Sequence, residues 1–252
     1  MRTDTLAARM RRLEAFHTLR VPDGAWTILR VDGHGFTRLT AQHFEKPFDD
    51  GFSAAMIGAA QALIERFQGH YAYTQSDEIS LLLPRDSRIF DREVEKLLSL
   101  TAGTASSAFS LATERLAVFD SRVIVASRTS QVIDYFRWRQ SDAGRCALNG
   151  WCYWTLRKAG LSQATATARL HGSSRAEKLD LLALHGIRFE DLPASQRRGV
   201  GILRQSYEKS AVNLRSGAPV IARRQRLHVE RELPDKEDYA TWFHALLAED
   251  SR

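Results

Sequence analysis

Apolar residues near the start of the chain recur at helical spacing and are followed by a turn. Residues 4–17 place Leu6, Met10 and Leu13 on one face of a predicted helix. The sequence VPDG at 21–24 then predicts a turn that ends this segment. The chain therefore begins with a helix that precedes the first strand.

Strand and helix patterns alternate over residues 26–127. The runs with strand character lie at 26–32, 70–75, 78–84 and 117–127. Two longer runs repeat apolar residues on one helical face, at 50–68 and 88–115. The order is β-α-β-β-α-β, which is typical of an antiparallel sheet with helices on one face. The pattern predicts an α+β fold built on a ferredoxin-like palm.

The second half of the chain has a different pattern. Helical periodicity dominates at 130–140, 142–160, 162–170 and 174–185, and short strands are predicted at 199–205 and 219–229. No repeat or low-complexity linker separates the halves. We therefore predict a palm with its N-terminal helix over 1–128, and a mostly helical, basic, RNA-binding region over 129–252 that packs on it.

Composition excludes several classes of protein. The 252 residues are 44% hydrophobic and 26% charged, which are ordinary globular values and exclude disorder and collagen as the main state. No apolar run is long enough for a membrane span, and Asp4, Arg9 and Arg11 break the N-terminal segment that a signal peptide would need. Cys146 and Cys152 form no CxxC motif. We expect a cytoplasmic protein with reduced thiols and no membrane contact.

Basic residues are concentrated in one stretch. The formal net charge of the chain is +6, and residues 188–231 contain ten basic residues against four acidic ones. A stretch of this kind suits a polyanion such as RNA. A solvated basic surface without a ligand is the alternative interpretation.

Three acidic residues are predicted to meet at one edge of the sheet. In a βαββαβ sheet the first and third strands are neighbours, so Asp32, at the end of the first strand, lies near Asp77 and Glu78 in the hairpin. Carboxylates beside the flexible backbone of Gly33 suit Mg²⁺, and two such ions can assist phosphoryl transfer. The alternative is that these acids are ordinary turn or cap residues.

Five segments closely resemble the motifs of the tRNA-His guanylyltransferase family of 3′-5′ reverse polymerases, in its bacterial and archaeal branch. They are LRVDGHGFTRLT (29–40), HFEKPFD (43–49), YTQSDEISLLL (73–83), FDSRVIV (119–125) and DYFRWRQSD (134–142). The resemblance runs from about residue 6 to 205. It implies a polymerase-like palm that activates an RNA 5′ end with ATP or GTP. The 3′-hydroxyl of an incoming nucleotide, most often G, then attacks the activated 5′ phosphate.

The resemblance also implies roles for individual residues. Asp32 and Asp77 would hold two Mg²⁺ ions with the Gly33 carbonyl, and Glu78 would support the site as a third catalytic residue. The residues that would cradle the triphosphate are Gly33, His34, Gly35, Phe36, Thr37 and Ser76. Lys46 and Arg122 match positions that face phosphates, although a solvated loop lysine is the alternative for Lys46.

Further basic residues match positions that the family associates with RNA. Arg137 and Arg139 lie in FRWRQ, where aromatic and basic residues alternate as in a stacking surface. The aromatic residues of this segment would serve equally well in the core. Lys178, Arg197 and Arg198 match residues associated with the activated 5′ end, with surface charge as the alternative. The family resemblance further suggests a homotetramer.

One segment departs from the family. Gly144-Arg145-Cys146-Ala147 stands where the family usually carries His-Ile-Asn-Asn, a segment associated with the handling of tRNA-His. Both a tRNA-His guanylyltransferase and a template-dependent repair enzyme for tRNA 5′ ends therefore stay open. A nucleotidyl cyclase on the same two-metal palm and a non-catalytic RNA-binding module are the remaining alternatives.

Overall fold

One antiparallel sheet organises the structure. The computed structural model of the chain describes residues 5–212 and 217–249. The strands are β1 (Trp26–His34), β2 (Tyr71–Gln75), β3 (Glu78–Leu82), β4 (Val118–Ala126), β5 (Val200–Val212) and β6 (Pro219–Glu230). Their order in the sheet is β4-β1-β3-β2-β5-β6, and every neighbouring pair is antiparallel. The predicted contact between the first and third strands is confirmed.

Helices cover both faces of this sheet. They are α1 (Leu6–Arg11), α2 (Phe36–His43), α3 (Asp50–Phe67), α4 (Val94–Thr113), α5 (Thr129–Lys158), α6 (Gln163–Leu170), α7 (Arg175–Leu184), α8 (Ala194–Arg198) and α9 (Lys236–Glu249). Successive side chains of β1 point to opposite faces of the sheet. On one face Leu29 belongs to a core with Leu63 of α3. On the other face Ile28 belongs to a core with Phe136 of α5 and Phe243 of α9. A third cluster joins the C-terminal half of α5 to α6 and α7.

The N-terminal helix is shorter than its periodicity predicts. It ends at Arg11 rather than at residue 17, and Asp4 lies outside the described residues. Leu13 and Phe16 are 73% and 67% exposed, so neither packs into a core among the described residues. A helix of this length needs packing to persist, and the prediction beyond Arg11 was wrong for that reason.

The long helix α5 replaces two predicted helices. The sequence pattern predicts a break between residues 140 and 142, but α5 continues without one through Ser141. Residues 139–143 contain no glycine or proline to stop it, and the Asp142 carboxylate accepts hydrogen bonds from Arg139 and Arg145 on adjacent turns. These contacts support the helix where the prediction ended it.

The C-terminal strands extend the sheet formed by β1–β4 and then leave it. Strand β5 pairs with β2 only from Val200 to Leu203, whereas its pairing with β6 continues to Val212. The part beyond the sheet, residues 204–212 and 219–227, is called the β5–β6 arm. The sheet contains strands from both sides of the predicted boundary at 128, so the two predicted parts contribute to one sheet. The division into two parts stays a prediction.

In the described part of the chain, no helix is long and apolar enough to cross a membrane. Arg215, which contributes to the basic stretch, lies outside that part.

Candidate active site

The end of β1 and the turn between β2 and β3 are joined at the sheet edge. The backbone N–H of Gly33 donates to the backbone carbonyl of Asp77 over 3.0 Å. Asp32 stands directly opposite Glu78 in the β1–β3 pairing. Ser76, in the turn, takes a left-handed backbone conformation with φ of 52°. The sheet therefore brings Asp32 and the Ser76-Asp77 turn together, as the strand order requires.

The surroundings of Asp77 favour a bound cation. Burial raises the pKa of Asp77 above its ordinary value, and the nearby negative charge of Asp32 adds to this. The hydroxyl of Ser76 donates to Asp77 Oδ1 over 2.9 Å, and this hydrogen bond lowers the pKa of Asp77. The positive charge of Lys46 lowers it as well. Two carboxylates that repel each other in a partly desolvated edge are stabilised by a hard divalent ion, and their oxygens are the ligands that Mg²⁺ prefers. The residues present fit such an ion.

Glu78 is engaged elsewhere. Its carboxylate accepts two hydrogen bonds from Arg139 of α5, and burial nevertheless raises the pKa of Glu78. Asp32, Asp77 and Glu78 do not form a compact cluster.

Among the described residues, the one group of three such side chains with ligand atoms all within 4.8 Å is His17, Glu93 and Glu95. In that group the Glu93 carboxylate already forms ion pairs with Arg20 and Lys96.

A short turn and helix α2 follow the sheet edge. Gly35 takes a positive φ of 74° and precedes α2, whose first N–H groups are directed back toward the turn. Gly33 has no room for a side chain, because an added Cβ would lie 2.4 Å from the Phe36 ring. That ring is buried against Phe119 and Phe109 at centroid distances of 4.8 and 5.2 Å. Phe36 thus anchors the turn, and a helix N-terminus beside it suits an anion.

A cleft of about 740 Å³ lies between this edge and α5. Five of the predicted residues line it: Phe36, Thr37, Lys46, Ser76 and Asp77. The opposite wall includes three side chains that the sequence reasoning missed: Cys146, Trp151 and Trp154. No sequence signal shows which face of so long a helix borders the cleft. Lys46 Nζ lies 6.0 Å from the Trp154 ring centroid, so the two walls approach each other here.

Lys46 is half-buried in the cleft. Burial lowers the pKa of Lys46, while the charges of Asp77 and Asp49 act to raise it. A cation between an acidic edge and an aromatic wall is well placed to meet a phosphate.

The remaining predicted residues lie outside the cleft lining. Arg122 on β4 is about half exposed and pairs with Asp120, which stands opposite Asp32 across the β1–β4 pairing. Asp120 is a carboxylate beside the edge that sequence reasoning missed, because strand register cannot be obtained from a single β-branched run. Arg137 pairs with Glu237 of α9.

Three further predicted cations lie on helices that precede β5, Lys178 on α7 and Arg197 and Arg198 on α8. Arg197 donates to the carbonyl of Leu192, and Arg198 donates to that of Leu233. The carbonyl of Lys178 accepts from the Cys152 thiol. These hydrogen bonds to backbone carbonyls connect segments of the chain to one another. The roles of the three cations in RNA binding stay predictions.

Comparison with known proteins identifies the family. A model described as tRNAHis guanylyltransferase matches residues 7–127, and a model of the Thg1 C terminal domain matches residues 130–244. A tRNA(His) guanylyltransferase of Debaryomyces hansenii is 30% identical over 235 residues, which cover 87% of this chain and 86% of that protein. The chain belongs to the tRNA(His) guanylyltransferase family. It is accordingly a nucleotidyltransferase.

Other members of the tRNA(His) guanylyltransferase family support the assignment. A probable tRNA(His) guanylyltransferase of Drosophila melanogaster is 33% identical over 192 residues, covering 71% of this chain and 67% of the relative. The chain spans only about a third of the length of tRNA(His) guanylyltransferase 1 of Arabidopsis thaliana.

Solved structures of the tRNA(His) guanylyltransferase family agree with the fold. A bacterial guanylyltransferase-like protein in complex with ATP superposes with a TM-score of 0.77 at 26% identity, covering 97% of this chain and 99% of that one. A bacterial guanylyltransferase-like protein in complex with GTP gives 0.73 at 26% identity, covering 96% and 98%.

Proposed function

We propose that this chain adds nucleotides, G most often, to the 5′ end of a tRNA in the 3′-5′ direction. The observation that carries the proposal is the Gly33–Asp77 hydrogen bond, which holds Asp32 beside Asp77 at the sheet edge that borders the cleft. The strand order β4-β1-β3-β2, with α3 and α4 on one face, supports a ferredoxin-like, polymerase-type palm. ATP and GTP, bound by structural relatives, are the proposed nucleotide substrates.

Two magnesium ions are the proposed cofactors. Asp32, Asp77 and the Gly33 carbonyl would hold them, and the ions would neutralise charge on the phosphates during transfer. In the first step the RNA 5′ phosphate attacks the α-phosphate of ATP or GTP and pyrophosphate leaves. In the second the 3′-hydroxyl of the incoming nucleotide attacks the activated 5′ phosphate, and the activating nucleoside monophosphate leaves.

The chain's own residues position the reacting phosphates. The N–H groups at the start of α2 and the ammonium group of Lys46 face the cleft next to Asp77, so they would bind phosphate oxygens as negative charge develops. The aromatic wall of Trp151 and Trp154 would exclude water and offer a stacking surface for a base.

The β5–β6 arm is the proposed contact for the body of the RNA. Its exposed cations include Lys209, Arg223, Arg224 and Arg226, and the Arg226 guanidinium lies 5.5 Å from the Tyr207 ring centroid. Binding through such cations weakens as salt rises, because each phosphate contact releases counterions. RNA binding that is unchanged between low and high salt would contradict this role.

Two substrate classes are compatible with the segment at 144–147. Arg145 is engaged with Asp142, whereas Cys146 and Ala147 line the cleft. The segment leaves the carboxylate edge intact and offers small side chains where the family usually carries His-Ile-Asn-Asn. Template-dependent repair of truncated tRNAs therefore stands beside guanylylation of tRNA-His.

The test uses purified chain, Mg²⁺, ATP and labelled GTP with two RNAs. One is 5′-monophosphorylated tRNA-His that lacks its extra 5′ nucleotide, and the other is a different tRNA truncated at its 5′ end. Label on both would establish a repair polymerase, and label on tRNA-His alone a dedicated guanylyltransferase. A cyclic product formed without RNA, and no label on either RNA, would overturn the proposal in favour of a cyclase. Light scattering tests the expected tetramer, and a cytoplasmic location stays a prediction.

A further inference from the structure

Arg139 joins α5 to the strand that follows the acidic turn. Its Nε and Nη2 atoms donate to Glu78 Oε1 and Oε2, each over 2.7 Å. The two side chains are only 13% and 14% exposed. A bidentate, charge-assisted pair of this kind fixes the orientation of the carboxylate as well as its charge.

The Arg139 guanidinium is itself held from two sides. Its Nη2 atom also donates to Asp142 Oδ2, one helical turn further on, over 3.2 Å. Its central carbon lies 4.5 Å from the Trp138 ring centroid, a cation–π distance. Arg145 Nη2 in turn donates to Asp142 Oδ1 over 2.5 Å. The guanidinium is therefore preorganised, and Glu78 meets a fixed partner.

Glu78 would otherwise be a third carboxylate at the metal edge. It follows Asp77 directly and stands opposite Asp32, and residues opposite each other in an antiparallel pair project from the same face. The ligand atoms of the three acids do not converge, because Glu78 is drawn toward α5. Mg²⁺ sites use few protein carboxylates and leave positions for water and phosphate oxygens.

We propose that Arg139 is a positioning residue that withholds Glu78 from the cation site, so that Asp32 and Asp77 offer carboxylates there and Glu78 does not. The proposal rests on the function proposed above. Arg139 acts through Glu78, which differs from a direct contact of Arg139 with RNA. The paired Glu78 serves to fix the start of β3 immediately after Asp77.

The experiment measures Mn²⁺ binding to the full chain by electron paramagnetic resonance, without nucleotide or RNA, beside the rate of nucleotide addition. The variants are Arg139→Met, Glu78→Gln and the double variant, with Lys158→Met as a control at the exposed end of the same helix. Arg139→Met frees a carboxylate, so Mn²⁺ binding tightens by roughly fivefold while nucleotide addition slows by roughly tenfold or more. A loss of fold cannot produce these opposite changes.

The double variant shows whether a folding defect caused by the unpaired Glu78 charge explains the effects of Arg139→Met. Because it removes both charges, we expect Mn²⁺ affinity to return to within about twofold of the unaltered chain, and addition to recover partly. Glu78→Gln alone should change Mn²⁺ affinity by less than about threefold, since Glu78 is not a ligand in this account. Lys158→Met should leave both readouts unchanged.

The opposite pattern would overturn the proposal. If Glu78→Gln weakens Mn²⁺ binding by about tenfold or more and Arg139→Met does not tighten it, Glu78 is a metal ligand. A chain that binds Mn²⁺ but adds no nucleotide would contradict the proposed function, and the Mn²⁺ comparison would still decide the role of Arg139.

Discussion

Gly33 donates its backbone N–H to the backbone carbonyl of Asp77 over 3.0 Å, across the edge of the central sheet. This single bond joins the strand that carries Asp32 to the turn that carries Asp77. Residues 44 positions apart in the chain are thereby held in one site by backbone structure, independent of side-chain conformation. The geometry of the acidic edge should therefore be sensitive to changes at Gly33.

Replacing Gly33 by alanine should impair both stability and nucleotide addition. The added Cβ would lie 2.4 Å from the Phe36 ring, which is packed in the core and cannot move freely. Overpacking of this kind costs about 1–3 kcal/mol of the free energy of unfolding. Urea denaturation and the addition assay measure the two effects.

Gly24→Ala is the matched control for that variant. Gly24 has open space around it but a positive φ of 71°, so alanine there meets only backbone strain of about 1 kcal/mol. We expect stability to fall slightly and nucleotide addition by the folded chain to be unchanged. Equal losses of activity in both variants would contradict a specific role for the Gly33 turn.

Replacing Lys46 by methionine should separate activity from stability. The methionine keeps the apolar length of the side chain but removes the cation that faces Asp77 in the cleft. We expect kcat/KM for the nucleotide to fall by roughly 10²-fold, as for other groups that stabilise developing charge. The thermal midpoint should not fall, since a half-buried ammonium is costly to desolvate.

Lys158→Met, at the exposed end of α5, provides the comparison for Lys46→Met. Its activity should stay close to that of the unaltered chain. If Lys46→Met were as active as Lys158→Met, the phosphate role of Lys46 would be refuted.

Cys146 should report occupancy of the cleft. This cysteine is exposed and lines the cleft, whereas Cys152 is buried in α5. Desolvation, aided by Asp142, raises the pKa of the Cys146 thiol, so alkylation should be slow at neutral pH and faster at pH values near 9. Burial raises the pKa of the Cys152 thiol to about 11, so it should resist alkylation until the chain unfolds.

ATP or GTP with Mg²⁺ should protect Cys146 from iodoacetamide by roughly tenfold, because the thiolate must be accessible to react. Peptide mass spectrometry measures the extent of labelling at each cysteine. Labelling of Cys146 at the same rate with and without saturating nucleotide would show that the nucleotide lies elsewhere.

Stability should decline in alkaline solution. The hydroxyls of Tyr71 and Tyr239 lie 3.1 Å apart in the core, and burial raises the pKa of both. An unfolded chain ionises cysteine near pH 8.5 and tyrosine near pH 10, so it releases these protons before the folded chain does. Stability is therefore full below pH 8.5 and falls as the pH rises above it, first through Cys152 and then through the tyrosines.

Thermal melts between pH 7.5 and 10.5 measure this decline, which should amount to several degrees. Tyr239→Phe should flatten the part of the curve above pH 10 while lowering the midpoint at neutral pH. A midpoint that does not change with pH would contradict the burial of these groups.

Much of the sheet and its two long covering helices could be predicted because these elements are buried. The apolar run of β1 and the helical faces of α3 and α4 reflect packing on the sheet, and packing leaves a clear periodicity. Helix α2 has only eight residues with one fully buried, too few for a pattern. Helix α9 follows a charged stretch and was not predicted. Strand β6 was predicted at 219–229 and spans Pro219–Glu230, whereas β5 was predicted to end at residue 205 and continues to Val212 as an exposed strand with no clear apolar alternation.

The parts of the site that could be predicted from the sequence are those whose positions depend only on the strand order. The strand order brings Asp32 to Asp77 whatever the surrounding side chains are. The pairing of Arg139 with Glu78 joins residues 61 positions apart, and it depends on which face of α5 meets the sheet. No local pattern encodes that rotation, so the sequence suggested that Arg139 contacts RNA and that Glu78 supports the metal site.

The most direct test of the central claim compares Asp77→Asn with Asp86→Asn in the addition of labelled GTP to tRNA-His that lacks its extra 5′ nucleotide. Asp86 is an exposed aspartate beyond the opposite end of β3, so it controls for the loss of one carboxylate. We expect Asp77→Asn to lower the rate by at least about 10²-fold with an unchanged circular dichroism spectrum, because one of the two carboxylates that would hold the ions is lost. Asp86→Asn should add G as the unaltered chain does. An active Asp77→Asn chain would contradict the account.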